Sequence, residues 1–471
     1  CTRLAETFVR LAAGDDQDHD SSVAASQCCS AILTLLEAIK ENKELYVALE
    51  KVLVPLILRI VSPDDAGEYP YTDYMEDAME ILTYVTYYSP TISAEVWTLF
   101  KPITRCFFDF AMDYLSNINL PFHNYISRGN DAFVANRENS ELLFKMLQQV
   151  LESPDTGDRD VTEACKLAET FVLNCKEAVA GYVAGITSLI VRRFAQHPAK
   201  KPAARTDLLK VMCCCLLARS DLALYALESH QATAPMMQAW FTAIVVTEVK
   251  DLPDGSKQQV RSHFKLERDK KICALGLTAI LRHPFDQLPK SMQDGLGHVL
   301  AAIVTVLSDL EGLRKRQAAP PPAPPQAQES SGGGGGESHQ RILDVDDDKD
   351  EETKATRSMD EVYAKLSQLE DGTCTFAELF GDDDEDDEEE SFSSPIDDMD
   401  ELLFFAHSFH ELQTANPAAI EHATTNVLSQ QHKQVLMFVL SAAQQKAGGA
   451  QAAAAPQVEG TPQGSEGAPQ G

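Results

Sequence analysis

The side chains with the greatest chemical potential are carboxylates gathered into two tracts. Asp344, Asp346, Asp347, Asp348, Asp350, Glu351 and Glu352 make the first, and Asp382, Asp383, Asp384, Glu385, Asp386, Asp387, Glu388, Glu389 and Glu390 make an unbroken second. Carboxylates this dense stay ionised and solvated, repel one another, and attract polycations. They are therefore the candidate contacts for a basic protein partner. A calcium site is the rival chemistry, and spacing decides against it. Asp344-x-Asp346-x-Asp348 opens like a calcium loop, but the sixth position is Lys349 instead of Gly and the twelfth is Ala355 instead of Glu.

Other chemical motifs fail on spacing too. His407 and His410 stand three apart without a second ligand pair. Gly295–Leu296–Gly297 lacks the third glycine and the preceding strand of a dinucleotide fingerprint, so it reads as a helix with small residues. There is no HExxH, GxSxG or GxxxxGK[ST]. None of the 11 cysteines forms CxxC. Cys213, Cys214 and Cys215 lie in an apolar helical run, where a thiol behaves as a small buried hydrophobe. A disulfide framework is not expected, which favours a reducing compartment. The expectation is no enzyme, no cofactor and no metal. Arg314–Lys315–Arg316 has the form of a localisation signal but also suits a helix C-terminus, where cations complement the dipole, and the latter reading is favoured. Ser394–Pro395, beside Asp397 and Asp398, has the form of a phosphorylation site.

The elements that must position these groups emerge from charge and period. The chain has 471 residues, 40 Lys plus Arg and 72 Asp plus Glu, a formal net charge of −32. Residues 1–316 carry only −8 of this and residues 317–471 carry −24. A nearly balanced body thus bears an acidic tail, and direct nucleic-acid binding is not expected because phosphates would be repelled. Hydrophobic residues make up 44%, which excludes global disorder. The best apolar run, Ala178–Val191, is short of the ~20 residues of a membrane span, so no membrane insertion is expected. Cys1 in place of Met points to a fragment or a processed chain.

Helical stripes fill the body. Leu49, Leu53, Leu56 and Ile60 share a face, as do Met75, Ala78, Leu82 and Val85, with Ile81, Tyr84 and Tyr88 on a second face. Ile272, Leu275, Gly276, Ala279 and Ile280 form a third stripe, and Leu296, Val299, Leu300, Ile303 and Leu307 a fourth. Pairs are expected at Leu45–Val61 with Tyr74–Ser89, Ala94–Ser116 with Asn139–Glu152, and Asp160–Lys176 with Ala178–Ala195. Thr206–Arg219, Met236–Val249, Glu267–Arg282 and Gln293–Leu313 continue the series. Pro55 and Pro102 lie inside apolar runs and should kink them. No segment reads as a sheet. Two helices per ~35–50 residues is the rhythm of an all-α HEAT-repeat solenoid. The expected division is a solenoid over 1–316; a Pro/Gly linker and acidic loop over 317–396, with a short helix near 359–369; terminal helices packing on the solenoid over 397–446; and a structureless tail over 447–471.

Three segments resemble the importin-β (karyopherin-β) family of nuclear transport receptors, closest to the importin-7 and importin-8 group. They are HNYISRGNDAFVANRENSELLFKMLQQVL, RDKKICALGLTAIL and SSPIDDMDELLFFAHSFHELQTANPAAIEHATTNVLSQQHKQVL, with the acidic tract between the last two. The resemblance covers the chain to about Gln445 and corresponds to the C-terminal half of such a receptor. It implies a superhelical array, import of basic cargo such as ribosomal proteins and histones, and release by the small GTPase Ran in its GTP form. It further implies nucleoporins and another importin as partners, and shuttling between cytoplasm and nucleus through the pore. The family's principal Ran-binding region lies upstream of anything here, and the tail has no Phe–Gly pairs. The readings left open beside it are a HEAT scaffold or histone-chaperone-like binder without Ran coupling, and an exportin-like receptor.

Overall fold

A computed structural model describes residues 1–12, 19–245, 249–251, 257–259, 262–317 and 394–453. The apolar stripes become α1 (Thr2–Ala12), α2 (His19–Ala38), α3 (Lys43–Val61), α4 (Met75–Tyr88), α5 (Phe100–Asp109) and α6 (Leu115–Ser127). They continue as α7 (Arg137–Glu152), α8 (Asp158–Asn174), α9 (Lys176–Gln196), α10 (Pro202–Ser229), α11 (Thr233–Ile244), α12 (Glu267–Leu281) and α13 (Leu296–Gln317). After the acidic segment come α14 (Glu401–Ala415), α15 (Pro417–His422) and α16 (Gln430–Ala453). Residues 1–317 and those from 394 onward belong to one compact unit.

The packing is two-layered. Helices α2, α4, α6, α8, α10, α12 and α14 contact one another in sequence and form one row. Helices α1, α3, α5, α7 and α9 form the second row, and α11, α13 and α16 pack in turn beyond it. Hydrogen bonds step from repeat to repeat along the rows. Asn124 Nδ2 donates to Thr86 Oγ1 across 38 residues, Arg193 Nη1 to the Ser153 carbonyl across 40, Asn119 Nδ2 to the Glu163 carbonyl across 44, and Thr162 Oγ1 to Asp207 across 45. That step matches the ~40–47 residues of HEAT and armadillo units better than the ~34 of a tetratricopeptide. Two arginines satisfy helix-end carbonyls in the same way. Arg128 donates to the Thr86, Tyr87 and Ser89 carbonyls at the end of α4, and Arg193 to the Ser153 and Thr156 carbonyls after α7.

Four details differ from the sequence expectation. The expected Ala94–Ser116 helix is broken at Thr98–Leu99, which places Pro102 in the first turn of α5, where no intrahelical N–H is needed. Pro55 does lie inside α3, which continues through it. Helix α10 runs past Arg219 to Ser229, with non-helical backbone (φ −152°, ψ 81°) at Arg219, where the side chain pairs with Asp221. A small antiparallel ribbon, β1 (Val249–Asp251) with β2 (Lys257–Gln259), follows α11, with Val249 opposite Gln259. It leaves the all-α class unchanged. Finally, α16 continues to Ala453, past residue 446.

Glu177–Gln196 and Leu296–Lys315 are long and apolar enough for a bilayer by length and composition, contrary to the expectation from uninterrupted apolar runs. In the fold, α9 packs on α7 and α10, and α13 on α12 and α16. The α10–α12 crossing is close because Gly276 has no side chain. A Cβ there would lie 2.5 Å from both Cα and Cβ of Cys213. All cysteines among the described residues are free thiols, and all but Cys1 are buried. Burial pushes the Cys29, Cys106, Cys175 and Cys215 thiols up to about 12.

Candidate functional site

All sixteen candidate carboxylates, from Asp344 to Glu390, lie outside the described residues, as does the expected short helix near 359–369. The structure therefore describes what holds the two ends of that segment. On the incoming side, Arg314 in the last turns of α13 donates from Nε to Glu267 Oε1 at 2.7 Å and from Nη1 to Glu401 Oε1 at 2.6 Å. Glu311 adds a contact at 3.4 Å. One guanidinium thus joins α12, α13 and α14, and its two bonded partners lie on opposite sides of the acidic segment in sequence. Burial alone would lower the Arg314 pKa, but the bonds to Glu401 and Glu267 outweigh it and raise it. Arg314 lies in the last turn of α13, as expected for a cation at a helix C-terminus, and adds this three-helix clamp. Lys315 has a separate role, with Nζ 5.3 Å from the Phe438 ring centroid.

On the outgoing side, the Ile396-Asp397-Asp398-Met399-Asp400-Glu401 motif resolves into distinct structural roles. Ile396 is buried. Asp397 accepts the Ser394 N–H on Oδ2 at 2.7 Å, and its own carbonyl takes Lys271 Nζ at 2.9 Å. Asp400 caps α14, accepting the Leu402 and Leu403 N–H groups at 3.0 and 2.9 Å. Its other oxygen accepts Lys446 Nζ at 2.8 Å. Burial pushes the Asp400 carboxyl up, yet these bonds hold it below its ordinary value. Further along, Arg282 lies 5.6 Å from the Phe404 ring centroid. Gly297, the supposed fingerprint glycine, leaves room for Val427, whose Cβ would be 2.5 Å from a Cβ at that position. Packing thus begins at Ser394, before the expected boundary at 397.

A second ionic cluster, which sequence reasoning missed, lies in the middle of the first row. Lys210 on α10 sits 2.9 Å from both Asp207 and Asp269 of α12, and Thr162 of α8 donates to Asp207 at 2.7 Å. Beside it, Glu169 of α8 pairs with Arg268 of α12 at 2.5 Å. Burial raises the Glu169 carboxyl. For Lys210 burial pulls the ammonium down, but Asp269 and Asp207 outweigh it and raise its pKa. The available signal was an Asp–Lys pair three residues apart at the head of an otherwise apolar helical run, as in DLLKVMCCC. These buried charges are paired across helices, the arrangement of a structural cluster.

His407 and His410 are exposed, and His407 Nε2 lies 3.1 Å from Glu411. Among the described residues no group of His, Cys, Asp and Glu is arranged to hold a metal. Between α13 and α16 runs an apolar groove of about 460 Å³ lined by residues including Leu307, Val435, Phe438 and Val439. Charge is unequal within the array as well. Residues 1–196 carry 29 acidic and 16 basic side chains, whereas residues 197–316 carry 12 and 17. The acidic segment is thus attached to the basic part of the chain.

Layered helix pairs that resume after a polyanionic segment define an all-α helical-repeat array, and sequence relationships specify which kind. The family described as importin-11-like with TPR repeats matches residues 29–365. The chain is 31% identical over 313 residues to the importin beta-like SAD2 homolog of Arabidopsis thaliana, covering 65% of this chain and 28% of that one. It is 26% identical over 320 residues to the probable importin-7 homolog of Dictyostelium discoideum, covering 67% and 28%. Importin-8 of Danio rerio aligns over 462 residues at 22% identity, covering 94% and 42%. No solved structure gives a significant match. The chain belongs to the importin-β family and is of the importin-7 and importin-8 type. It spans well under half the length of these relatives, at 28 to 42%.

Proposed function

We propose that this chain is the part of a nuclear import receptor that captures basic protein cargo, such as ribosomal proteins or histones, through its acidic segment. The observation that carries this is the charge of residues 318–393, with 23 acidic and 5 basic side chains, flanked by the Arg314 clamp. A tethered polyanion raises the encounter rate with a basic partner and weakens as salt rises, while the helical surface supplies shape. The clamp joins α13, which precedes the acidic segment, to α14, which follows it. The sixteen carboxylates Asp344–Glu390 are the proposed cargo contacts. In the complete receptor, cargo release is governed by GTP-bound Ran, with nucleoporins and another importin as further partners during shuttling between cytoplasm and nucleus.

The test is binding of a fluorescent core histone to the chain across a salt series, with and without residues 382–390. Loss of affinity and a shallower salt dependence in the deletion are expected. Equal curves for the two proteins overturn the role of the segment. GTP-loaded Ran is then added to the cargo complex of the gene's complete product. Release supports import, no effect indicates a Ran-independent scaffold or histone chaperone, and tightened binding indicates an exportin.

A further inference from the structure

We propose that Ser394 is a phosphorylation site hidden while the Ser394–Asp400 turn is docked, and that the modification holds this turn in its released form. Ser394 is only 7% exposed, and its hydroxyl is buried without a hydrogen-bond partner among the described residues. The groups around it are already used. Its N–H goes to Asp397 Oδ2 at 2.7 Å, its carbonyl accepts the Asp397 N–H at 2.9 Å, and the Asp397 carbonyl holds Lys271. Burying an unpaired hydroxyl is unfavourable, and an alanine would pack there without that cost. The docked state therefore gives no reason for a serine.

The local sequence gives one. Ser394 precedes Pro395, the dipeptide that proline-directed serine/threonine kinases modify, and a following proline biases Ser394 toward extended backbone. Such a kinase binds ATP as the phosphoryl donor. The Ser394 Oγ attacks the γ-phosphorus, an Oγ–P bond forms, the β,γ-bridging P–O bond breaks, ADP departs, and the hydroxyl proton passes to the kinase's base. The product cannot regain the docked geometry. Its phosphate carries about −1.5 to −2 charge and three further oxygens. The Oγ is buried, and Asp397, Asp398 and Asp400 follow within six residues. Like-charge repulsion favours release and outweighs the burial of Ile396, which holds the unmodified turn docked. The acidic segment would then be anchored from Glu401 onward instead of from Ser394.

The experiment treats the full chain with a proline-directed kinase and ATP, then follows amide hydrogen exchange by mass spectrometry. The expected result is one phosphate on Ser394 and exchange about tenfold faster across residues 394–400, with α12 unchanged. Ser394→Ala should take no phosphate at that position and remain docked. Ile396→Asp, and the milder Ile396→Ala, should be modified faster than the native chain, because the modification rate follows the released fraction. Failure to modify Ser394 even in both Ile396 variants overturns the proposal. So does modification that leaves exchange across 394–400 unchanged or slower.

Discussion

Lys210 and Arg314 each tie carboxylates from different helices to one cation, but their surroundings differ in a way that sets their roles. Lys210 lies mid-array with its side chain 17% exposed, facing Asp207 and Asp269 at 14 and 12%. Arg314 is 29% exposed, and its best partner, Glu401, is only 3% exposed. The partners of Lys210 lie near the starts of α10 and α12, two helices flanked by row neighbours on both sides. Glu401 is the first residue of α14, at a helix end where fraying exposes side chains to water. The lesson is that the mobility of the partner decides whether a broken ion pair strains the whole array or releases one end.

The sharpest way to test this contrast is to remove the interior cation. Lys210→Met should lower unfolding stability by roughly 3–5 kcal/mol, because Asp207 and Asp269 are left buried without a counter-charge. Urea denaturation measures it, and adding Asp207→Asn with Asp269→Asn should restore most of the loss. A loss under ~1 kcal/mol would mean that the interior cluster is as adaptable as the terminal one. Next in size is a proton effect beside the same cluster. His123 of α6 is held down to about 4, first by burial and then by Arg268. An unfolded histidine titrates near 6.5. The stability it contributes is therefore complete above about pH 6.5 and is lost as pH falls toward 4. The change is on the order of 2 kcal/mol. Urea midpoints at pH 7.5 and 4.5 should differ accordingly, and His123→Asn should flatten the difference. Arg268→Met should move the His123 titration upward by NMR.

How much of this could be read beforehand depends on the range of the interaction. The face of α4 was legible because Met75, Ala78, Leu82 and Val85 recur at helical spacing, and all four are buried. The α12 stripe was equally legible, but nothing local reveals that the helix is covered on nearly every side from Ile272 to Leu281. Helix α2 escaped notice because its Ser, Ala and Cys positions give a weak stripe, although Ala25, Cys29, Ile32 and Leu36 are buried. Helix α6 was missed because Pro121 interrupts its pattern. The acidic tracts were plain from composition, whereas their anchorage was not. Arg314 and Glu401 are 87 residues apart, and Lys210 and Asp269 are 59, with α11 and the ribbon between. Periodicity identifies faces, and such pairings arise only once faces meet.

Removing the terminal cation should have the smaller, more local effect that the contrast demands. Arg314→Ala is expected to cost about 1–2 kcal/mol, since Glu401 can rehydrate as the first turn of α14 frays. Amide exchange should rise across 394–415 and stay unchanged in α8 and α10. Arg314→Lys should recover only part of the protection, because an ammonium cannot present two parallel donors to Glu267 and Glu401. A global shift of the urea midpoint equal to that of Lys210→Met would erase the distinction between the two clamps.

The smallest expected effect calibrates both. Gln231, just after α10, has φ +52°, and it is the one non-glycine residue with positive φ among the described residues. It stands where a left-handed residue closes the helix. The Ala232 N–H reaches the Leu227 carbonyl at 2.8 Å and the Gln231 N–H reaches Glu228 at 2.9 Å. Glycine adopts that conformation without the Cβ penalty, so Gln231→Gly should stabilise the chain by about 0.5–1 kcal/mol. The gain concerns backbone geometry alone and should be independent of salt and of pH. Combined with Lys210→Met on the same helix, it should add within ~0.5 kcal/mol if the interior cluster acts only through its own charges. A larger discrepancy would show that losing Lys210 also loosens the end of α10, and the interior clamp would then hold the helix as well as the carboxylates.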